Sequence, residues 1–277
     1  MIEARGLRVA LPDRSRKPLF GRAPLVEILK GVDLAIGAGD SVGLVGESGS
    51  GKSTLARTLL RLYEPASGSL LLDGADITHA GESALRPLRR RLQIVFQDSQ
   101  SALNPRRHIG SSLAEPLLAF GAATPAQARR RAAELLERVG LGPEHLDRFP
   151  HQLSGGQRQR VGIARALAPE PELVVADEIV SGLDVSVQAQ ILELLRALRS
   201  QTGMGLLLIS HDLSVVRVLC DRVIVMRHGE VVESGPTEEV FRAPRHPYTR
   251  RLLRAIPLPD VDPGWIDDVD LEEEEEG

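Results

Sequence analysis

The chain has 277 residues, of which 42% are hydrophobic and 26% charged, a composition typical of a soluble globular protein with a substantial core. Its net charge of −4 conceals an acidic end: residues 260–277 hold ten acids and no base, which leaves the body at +6, and the scattered arginines of that body do not favour nucleic-acid binding. The single cysteine, Cys220, excludes an internal disulfide and a cysteine-built zinc or iron–sulfur site, and no apolar run approaches the roughly 18–20 residues that span a bilayer. We expect a cytosolic protein without a secretory signal, with only peripheral membrane contacts.

Two strands are predicted near the N-terminus, at residues 2–10 and 25–36, from roughly alternating apolar positions. The polar, turn-rich segment 12–22 between them is predicted to be a loop. An apolar, strand-like run follows at 41–45, and a helical pattern begins soon after it.

A glycine-rich sequence connects that strand to that helix and fits G-x-x-x-x-G-K-[ST]. Its glycines let successive backbone N–H groups converge on phosphates at a helix N-terminus, Lys52 can reach the β- and γ-phosphates, and the Ser53 hydroxyl can ligate magnesium. A glycine-rich turn that binds nothing is the alternative, and the strand–loop–helix context disfavours it. The predicted phosphate-binding residues are Gly46, Glu47, Ser48, Gly49, Ser50, Gly51, Lys52, Ser53 and Thr54.

The middle of the chain is predicted to be mainly helical. Strands at 69–72 and 92–96 flank a basic helix at 82–91, and the second strand leads into Gln97 and a polar, exposed loop. From residue 109 to about 140 the pattern is helical, which predicts a helical subdomain over about 97–168.

Strands and helices alternate in the second half, which predicts an α/β fold with a largely parallel sheet. The predicted strands are 172–176, 205–209, 222–226 and 231–232, with helices at 155–167, at 186–199 and between the strands 205–209 and 222–226.

Two carboxylates, Asp177 and Glu178, follow the strand at 172–176. In a nucleotide-binding sheet this strand end lies beside the phosphate loop, so Asp177 can bind magnesium directly or through water, and Glu178 can accept a proton from the attacking water. A pair of acids in a surface turn is the alternative, which the upstream Lys52 disfavours.

A second anion site is indicated at residues 153–157, where Ser154 is a good N-cap and two glycines expose amide N–H groups at the positive end of a helix. From the residues alone, an ordinary capped helix explains this sequence equally well.

Together these motifs resemble the ATP-binding subunits of ABC transporters, over residues 1–257. The resemblance implies a P-loop NTPase fold with a mixed, mostly parallel sheet, an N-terminal antiparallel β part and a helical subdomain. It also implies that two subunits pair head to tail, so that the signature of one closes over the ATP and magnesium held by Lys52 and its neighbours in the other. The signature residues are Ser154, Gly155, Gly156 and Gln157.

The same resemblance gives roles to three further residues. It implies that Gln97 senses the γ-phosphate, helps to hold magnesium and faces the membrane subunits, and that Asp184, at the end of loop 181–184, communicates across the dimer. It makes His211 the switch histidine on the γ-phosphate, whereas the sequence alone would favour a structural histidine at a strand end.

Two motifs indicate the branch of the family. The resemblance is to the di/oligopeptide and nickel importers, and it lies in residues 96–98 with 103–106 and in the His-Pro-Tyr sequence within 245–250. The His-Pro-Tyr sequence belongs to a C-terminal segment of about 235–257. The expected function is ATP hydrolysis that energises peptide import at the cytoplasmic face of the inner membrane. The expected partners are a second ATPase subunit, two permease subunits and an extracytoplasmic substrate-binding protein. The alternatives are a nickel or metal-chelate importer of the same branch, a soluble ABC ATPase outside transport, and a switch that binds nucleotide without hydrolysis.

Two positions depart from the family pattern. Ile179 stands where the family usually has a proline after the catalytic glutamate, which predicts a less rigid loop at Glu178. The aromatic residue that stacks on adenine in many members would fall near Ala23, with Phe20 the nearest substitute, so we expect weak or displaced base stacking. The acidic segment 258–277 is predicted to be a disordered tail.

Overall fold

The structure, a computed structural model, describes residues 1–13, 21, 23–96 and 103–255. The predictions for Gln97, Phe20 and the acidic segment 258–277 fall outside these residues. Within the described part of the chain, no helix combines the length and the apolar character needed to cross a membrane.

The elements follow one another in nearly the predicted order. The strands are β1 (Ile2–Pro12), β2 (Leu25–Ile36), β3 (Ser41–Val45), β4 (Ser67–Leu72), β5 (Ala75–Asp76), β6 (Leu92–Val95), β7 (Leu173–Asp177), β8 (Gly205–Ile209), β9 (Arg222–Arg227) and β10 (Glu230–Pro236). The helices are α1 (Lys52–Leu59), α2 (Glu82–Arg91), α3 (Ile109–Ala119), α4 (Pro125–Arg138), α5 (Gly155–Leu167), α6 (Val185–Thr202), α7 (Leu213–Leu219), α8 (Thr237–Arg242) and α9 (Pro247–Arg254), with short 3-10 turns at Pro143–Asp147 and Pro150–Gln152.

Two sheets form the body of the protein. The first is antiparallel, in the order β2-β1-β4-β5, and alternation along β1 buries Leu7 and Val9 while Arg8 stays exposed. The second has the order β10-β9-β3-β8-β7-β6, and every pair except β10 with β9 is parallel. The predicted fold, a mostly parallel sheet with an N-terminal antiparallel part, matches this arrangement.

Two hydrophobic cores flank the parallel sheet. One lies between the two sheets and includes Leu55 and Leu59 of α1, both fully buried. The other covers the opposite face and continues into the helices of the middle segment, where Leu113 and Leu136 join α3 to α4. Parallel strands that are buried on both faces have continuous apolar sequences. Strands β7 and β8 have such sequences, which is why the sequence predicted them as buried parallel strands.

The register of the parallel strands brings the predicted functional residues to one edge. Ile209 on β8 pairs with Leu44 on β3 and with Asp177 on β7. The chain therefore leaves these three neighbouring strands at nearly the same height: into the phosphate loop after β3, into Glu178 after β7, and into His211 after β8. This carboxyl edge is where ligands bind in open α/β sheets.

Candidate functional site

The phosphate loop, residues 46–51, has a backbone that its glycines make possible. Gly46, Gly49 and Gly51 have φ values of 144°, 82° and 103°, in the left-handed region that glycine adopts without strain, as the sequence predicted. A Cβ atom at Gly46 would also lie 2.1 Å from the carbonyl oxygen of Met226. The loop can therefore lie directly against β9 only with glycine at this position.

Lys52, the first residue of α1, is folded into the loop and is only 5% exposed. Its Nζ donates hydrogen bonds to the carbonyl oxygens of Gly46 and Glu47, both at 2.7 Å. Burial lowers the pKa of Lys52, and the carboxylates of Glu178 and Asp177 oppose that shift. The Ser50 hydroxyl also accepts from Nζ, at 3.4 Å. The site thus holds a desolvated cation whose hydrogen-bond partners are neutral oxygens, an arrangement suited to an incoming anion.

Ser53 and Asp177 converge beside the lysine. The Ser53 hydroxyl donates to Oδ1 of Asp177 at 3.1 Å, and Asp177 is 5% exposed. Burial raises the pKa of Asp177, while the Ser53 hydrogen bond acts in the opposite direction. Two hard oxygen ligands therefore face each other across the end of β7, and no guanidinium or ammonium is hydrogen-bonded to the carboxylate among the described residues.

Glu178 has an unusual backbone conformation. Its φ is 50°, which costs a non-glycine residue conformational energy, and its N–H donates to the Ile209 carbonyl at 3.0 Å. Oε1 of Glu178 lies 3.7 Å from Nδ1 of His211, whose side chain is 63% exposed. The carboxylate and the imidazole therefore face each other at the mouth of the site, where both can reach a ligand.

Ile179, for which the sequence predicts a less rigid loop at Glu178, is buried. The side chain is 1% exposed and belongs to the core beneath the sheet, and the Ser181 N–H donates to the Glu178 carbonyl at 3.1 Å. Apolar burial and a turn hydrogen bond therefore hold the loop at the position where the family usually has a proline ring.

The signature residues lie on a different part of the chain. Ser154 caps α5: its Oγ accepts from the Gln157 N–H at 3.2 Å, and Gln157 Oε1 accepts from the Ser154 N–H at 3.0 Å. A Cβ at Gly156 would meet the Val187 side chain at 2.6 Å, so the signature packs closely on the start of α6. Asp184 caps α6 by accepting from the Val187 N–H at 2.9 Å, and the Ser186 hydrogen bond to its carboxylate lowers its pKa.

These signature groups do not meet the phosphate loop within one chain. Among the described residues, no hydrogen bond or ion pair connects Ser154, Gly155, Gly156, Gln157 or Asp184 with residues 46–54. The geometry thus joins Lys52, Ser53, Asp177, Glu178 and His211 in one site and leaves the signature as a separate, exposed helix start.

One contact of the phosphate loop was not predicted. The Tyr248 hydroxyl, on α9, accepts a hydrogen bond from the Glu47 N–H at 2.8 Å. Tyr248 is the tyrosine of the His-Pro-Tyr sequence, which our sequence analysis used only as a mark of the importer branch. The motif itself was the available signal, but a sequence separation of 201 residues hides the contact.

The sequence of the chain matches two families. The ABC transporter family matches residues 29–181, which include the phosphate loop, the signature and both carboxylates. The chain belongs to the ABC transporter family. The second match, to the C-terminal region of oligopeptide/dipeptide transporters, covers residues 232–276 and includes the His-Pro-Tyr sequence.

Relatives within the ABC transporter family agree with this assignment. A protein of Brucella ovis, named for ATP binding in peptide import, is 50% identical over 241 residues, which are 87% of this chain and 76% of that protein. The glutathione import ATP-binding protein GsiA of Salmonella paratyphi A is 47% identical over 261 residues, 94% of this chain but 42% of that protein.

A solved structure of this ABC transporter class has the same fold. It is the ATP-binding cassette MJ0796 as a dimer in a post-hydrolysis state, bound to ADP and Pi, with a TM-score of 0.75, 31% identity, and coverage of 86% of this chain and 99% of that one. The predicted family and fold are confirmed, and the chain is an ATPase of the ATP-binding cassette class.

Proposed function

We propose that this chain is the ATP-hydrolysing subunit that energises an ABC importer of di- or oligopeptides. The observation that carries the proposal is the convergence of a buried lysine, a buried carboxylate and a Glu–His pair at one edge of the sheet. The peptide branch is supported by the match at residues 232–276 and by the peptide-import names of relatives that are 50% identical.

The catalytic roles follow from the chemistry of each group. Loop amides and Lys52 bind the phosphates, and Lys52 exchanges its bonds to the Gly46 and Glu47 carbonyls for phosphate oxygens. Glu178 takes the proton of the attacking water, and His211 donates a hydrogen bond to the charge that develops on the γ-phosphate. Gln97, which follows β6, is proposed to sense that phosphate and to contribute to the magnesium site.

The residues present fit a magnesium ion. Mg²⁺ prefers oxygen ligands, keeps several waters and is held by one or two carboxylates together with substrate phosphates. Ser53 Oγ and Asp177 Oδ1, 3.1 Å apart, supply such ligands, and a cation there would compensate the buried charge of Asp177. Held by these residues, the ion would offset negative charge on the phosphates.

A second ATPase subunit is proposed to complete the site. The N-terminus of α5 presents Ser154, Gly155, Gly156 and Gln157 to a partner, and the positive end of a helix is a suitable binding site for a terminal phosphate. Because Gly156 packs on the residue that Asp184 caps, a movement of the signature reaches Asp184 directly. The dimeric state of the MJ0796 cassette supports this pairing.

Permease subunits are proposed to dock beside residue 97. An open apolar groove of about 350 Å³ lies between β6, α3 and α5, with Phe96 and Leu103, the residues that flank 97–102, in its wall. Leu62 and Phe96 are 47% and 38% exposed there. Such exposed apolar side chains are typical of an interaction surface.

The proposed assembly places the chain at the cytoplasmic face of the inner membrane, with an extracytoplasmic substrate-binding protein on the other side. Within the chain we propose an ATPase domain over 1–257, a helical subdomain over about 97–168, an importer-specific segment over about 235–257, and an acidic tail over 258–277.

The experiment combines purification with hydrolysis. The tagged chain is expressed and purified from the membrane fraction, and the permeases that are recovered with it are identified. Phosphate release is then measured with and without added peptide and its substrate-binding protein. Stimulation of ATP hydrolysis by peptide supports peptide import. ATP hydrolysis stimulated by nucleic acid, without recovered permeases, would contradict a transport role.

A further inference from the structure

Tyr248 joins the importer-specific C-terminal segment to the phosphate loop. It is 2% exposed, although α9 lies near the end of the described chain, and it ranks among the largest fully buried side chains. Its hydroxyl accepts the Glu47 N–H at 2.8 Å. Burial raises the pKa of the phenol, so the hydroxyl is neutral at physiological pH.

The peptide group between Gly46 and Glu47 is thereby held at both ends. The Glu47 N–H donates to Tyr248, and the Gly46 carbonyl oxygen accepts from Nζ of Lys52 at 2.7 Å. When Lys52 turns toward phosphates, the hydrogen bond to Tyr248 still holds this peptide group. The phosphate loop binds through N–H groups that must point at one place, so a fixed peptide plane at its start lowers the entropy cost of binding.

The other residues of the motif place the phenol. The Glu233 carboxylate accepts the N–H of Arg245 at 2.8 Å and that of His246 at 3.0 Å. His246 is the N-cap of α9, because its Nδ1 accepts the Tyr248 N–H at 3.1 Å, and Pro247 occupies the first helical position. The sequence His-Pro-Tyr therefore reads as a cap, a helix start and a side chain aimed at the phosphate loop.

Two further contacts strengthen the same connection. The Arg227 guanidinium lies 5.2 Å from the centroid of the Tyr248 ring, within the range of a cation–π interaction. In the turn after β9, the Gly229 N–H donates to the Ser50 carbonyl at 3.0 Å. The hairpin of β9 and β10 holds the phosphate loop at residue 50, and α9 holds it at residue 47.

We propose that Tyr248 is a positioning residue of the nucleotide site, through which the segment 233–248 sets the conformation of the phosphate loop. The effect on nucleotide affinity rests on the proposed function. The contact between the phenol and Glu47 does not, so the two can be tested separately.

The test replaces one oxygen atom. In Tyr248→Phe the ring and its packing stay, while the Glu47 N–H loses its acceptor. We expect the hydrogen exchange of that N–H, followed by NMR on nucleotide-free protein carrying isotope-labelled glutamate, to accelerate at least ~10-fold. We expect the Kd for ATP to rise about 3- to 10-fold.

Two variants accompany it. Tyr63→Phe removes the hydroxyl of the other tyrosine in the chain and is expected to change neither quantity. Glu233→Ala leaves Tyr248 intact but removes the acceptor for the N–H groups of Arg245 and His246, and is expected to shift both quantities in the same direction as Tyr248→Phe.

Each outcome supports or overturns the proposal. Unchanged exchange at Glu47 in Tyr248→Phe shows that the contact does not hold the loop and overturns the proposal, and so does faster exchange with unchanged ATP affinity. If the wild-type chain bound no ATP, the proposed function would fail, and the exchange rates would still report on the connection. A Tyr248→Phe protein that does not fold leaves Glu233→Ala to give the same two readings.

Discussion

The carboxyl edge of the parallel sheet and the N-terminus of α5 are both suited to bind phosphate, but they are built in opposite ways. At the sheet edge, Lys52 and Asp177 are buried charges that form no ion pair among the described residues, and Glu178 has a φ of 50°. At α5, Ser154 and Gln157 satisfy each other in a capping box, and the helix start is stable without a ligand.

The difference indicates which region does the chemistry. Strain and unpaired buried charge persist only where the surrounding fold enforces them, and they concentrate at sites of catalysis. A relaxed helix N-terminus stores no such energy and serves as a preformed surface for recognition. This comparison supports the proposal that hydrolysis takes place at the sheet edge and that α5 of a partner closes over the nucleotide.

The largest effect is expected from Glu178→Gln. The amide keeps the size of the side chain but cannot take a proton from water, so we expect kcat for ATP hydrolysis to fall about 10²- to 10⁴-fold. The Kd for ATP should change little, because Lys52 and the loop amides are untouched. Single-turnover phosphate release and nucleotide binding measure the two quantities.

This variant also separates the two regions. Slow hydrolysis with retained binding should trap a dimer in ATP, visible by size-exclusion chromatography. Hydrolysis at the wild-type rate would remove Glu178 from its role as the base.

A smaller effect is expected from Ser154→Ala. Loss of the cap should lower the free energy of unfolding by about 1 kcal/mol, and loss of the hydroxyl that we propose to contact the partner's nucleotide should lower ATP hydrolysis about 10-fold. Thr124→Ala is the control, because Thr124 and Gln127 repeat the S/T-x-x-Q pattern at the start of α4, where the Thr124 hydroxyl donates to Gln127 Oε1 at 3.0 Å.

Urea unfolding and phosphate release decide between a cap and a ligand. Both variants should lose stability, while Thr124→Ala should hydrolyse ATP within about twofold of the wild type. Equal losses of activity in both would reduce Ser154 to a helix cap.

Much of this arrangement could be predicted from the sequence, for physical reasons. The phosphate loop is formed by consecutive residues, so the glycines and Lys52 within 46–54 predict it. The continuous apolar run before Asp177 predicts a buried strand. The contact of Tyr248 with Glu47 could not be predicted, because no local pattern encodes a hydrogen bond across 201 residues. The burial of Ile179 was missed because we considered only the backbone restriction that a proline would bring, and the less rigid loop at Glu178 stays a prediction.

The smallest effect concerns stability, and it has opposite signs at Asp177 on the sheet edge and at Asp184, the N-cap of α6. Burial raises the pKa of Asp177, so the folded state disfavours its charged form, and this group lowers stability as the pH rises from about 3.9, the ordinary aspartate value, through the raised pKa. Asp177→Asn keeps an acceptor for Ser53 and removes the charge. It should therefore raise the free energy of unfolding by about 1 kcal/mol at neutral pH without nucleotide, and the gain should shrink as the pH is lowered toward 3.9.

Asp184 is the matched opposite case. The Ser186 hydrogen bond lowers its pKa, so its charge contributes stability above the ordinary aspartate pKa that is lost as the pH falls through the lowered value. Asp184→Asn should thus lower stability at neutral pH, where Asp177→Asn raises it. Thermal unfolding of both variants across pH measures the sign of each change in stability. A loss of stability in Asp177→Asn would contradict the interpretation that the charge of Asp177 destabilises the folded protein without nucleotide.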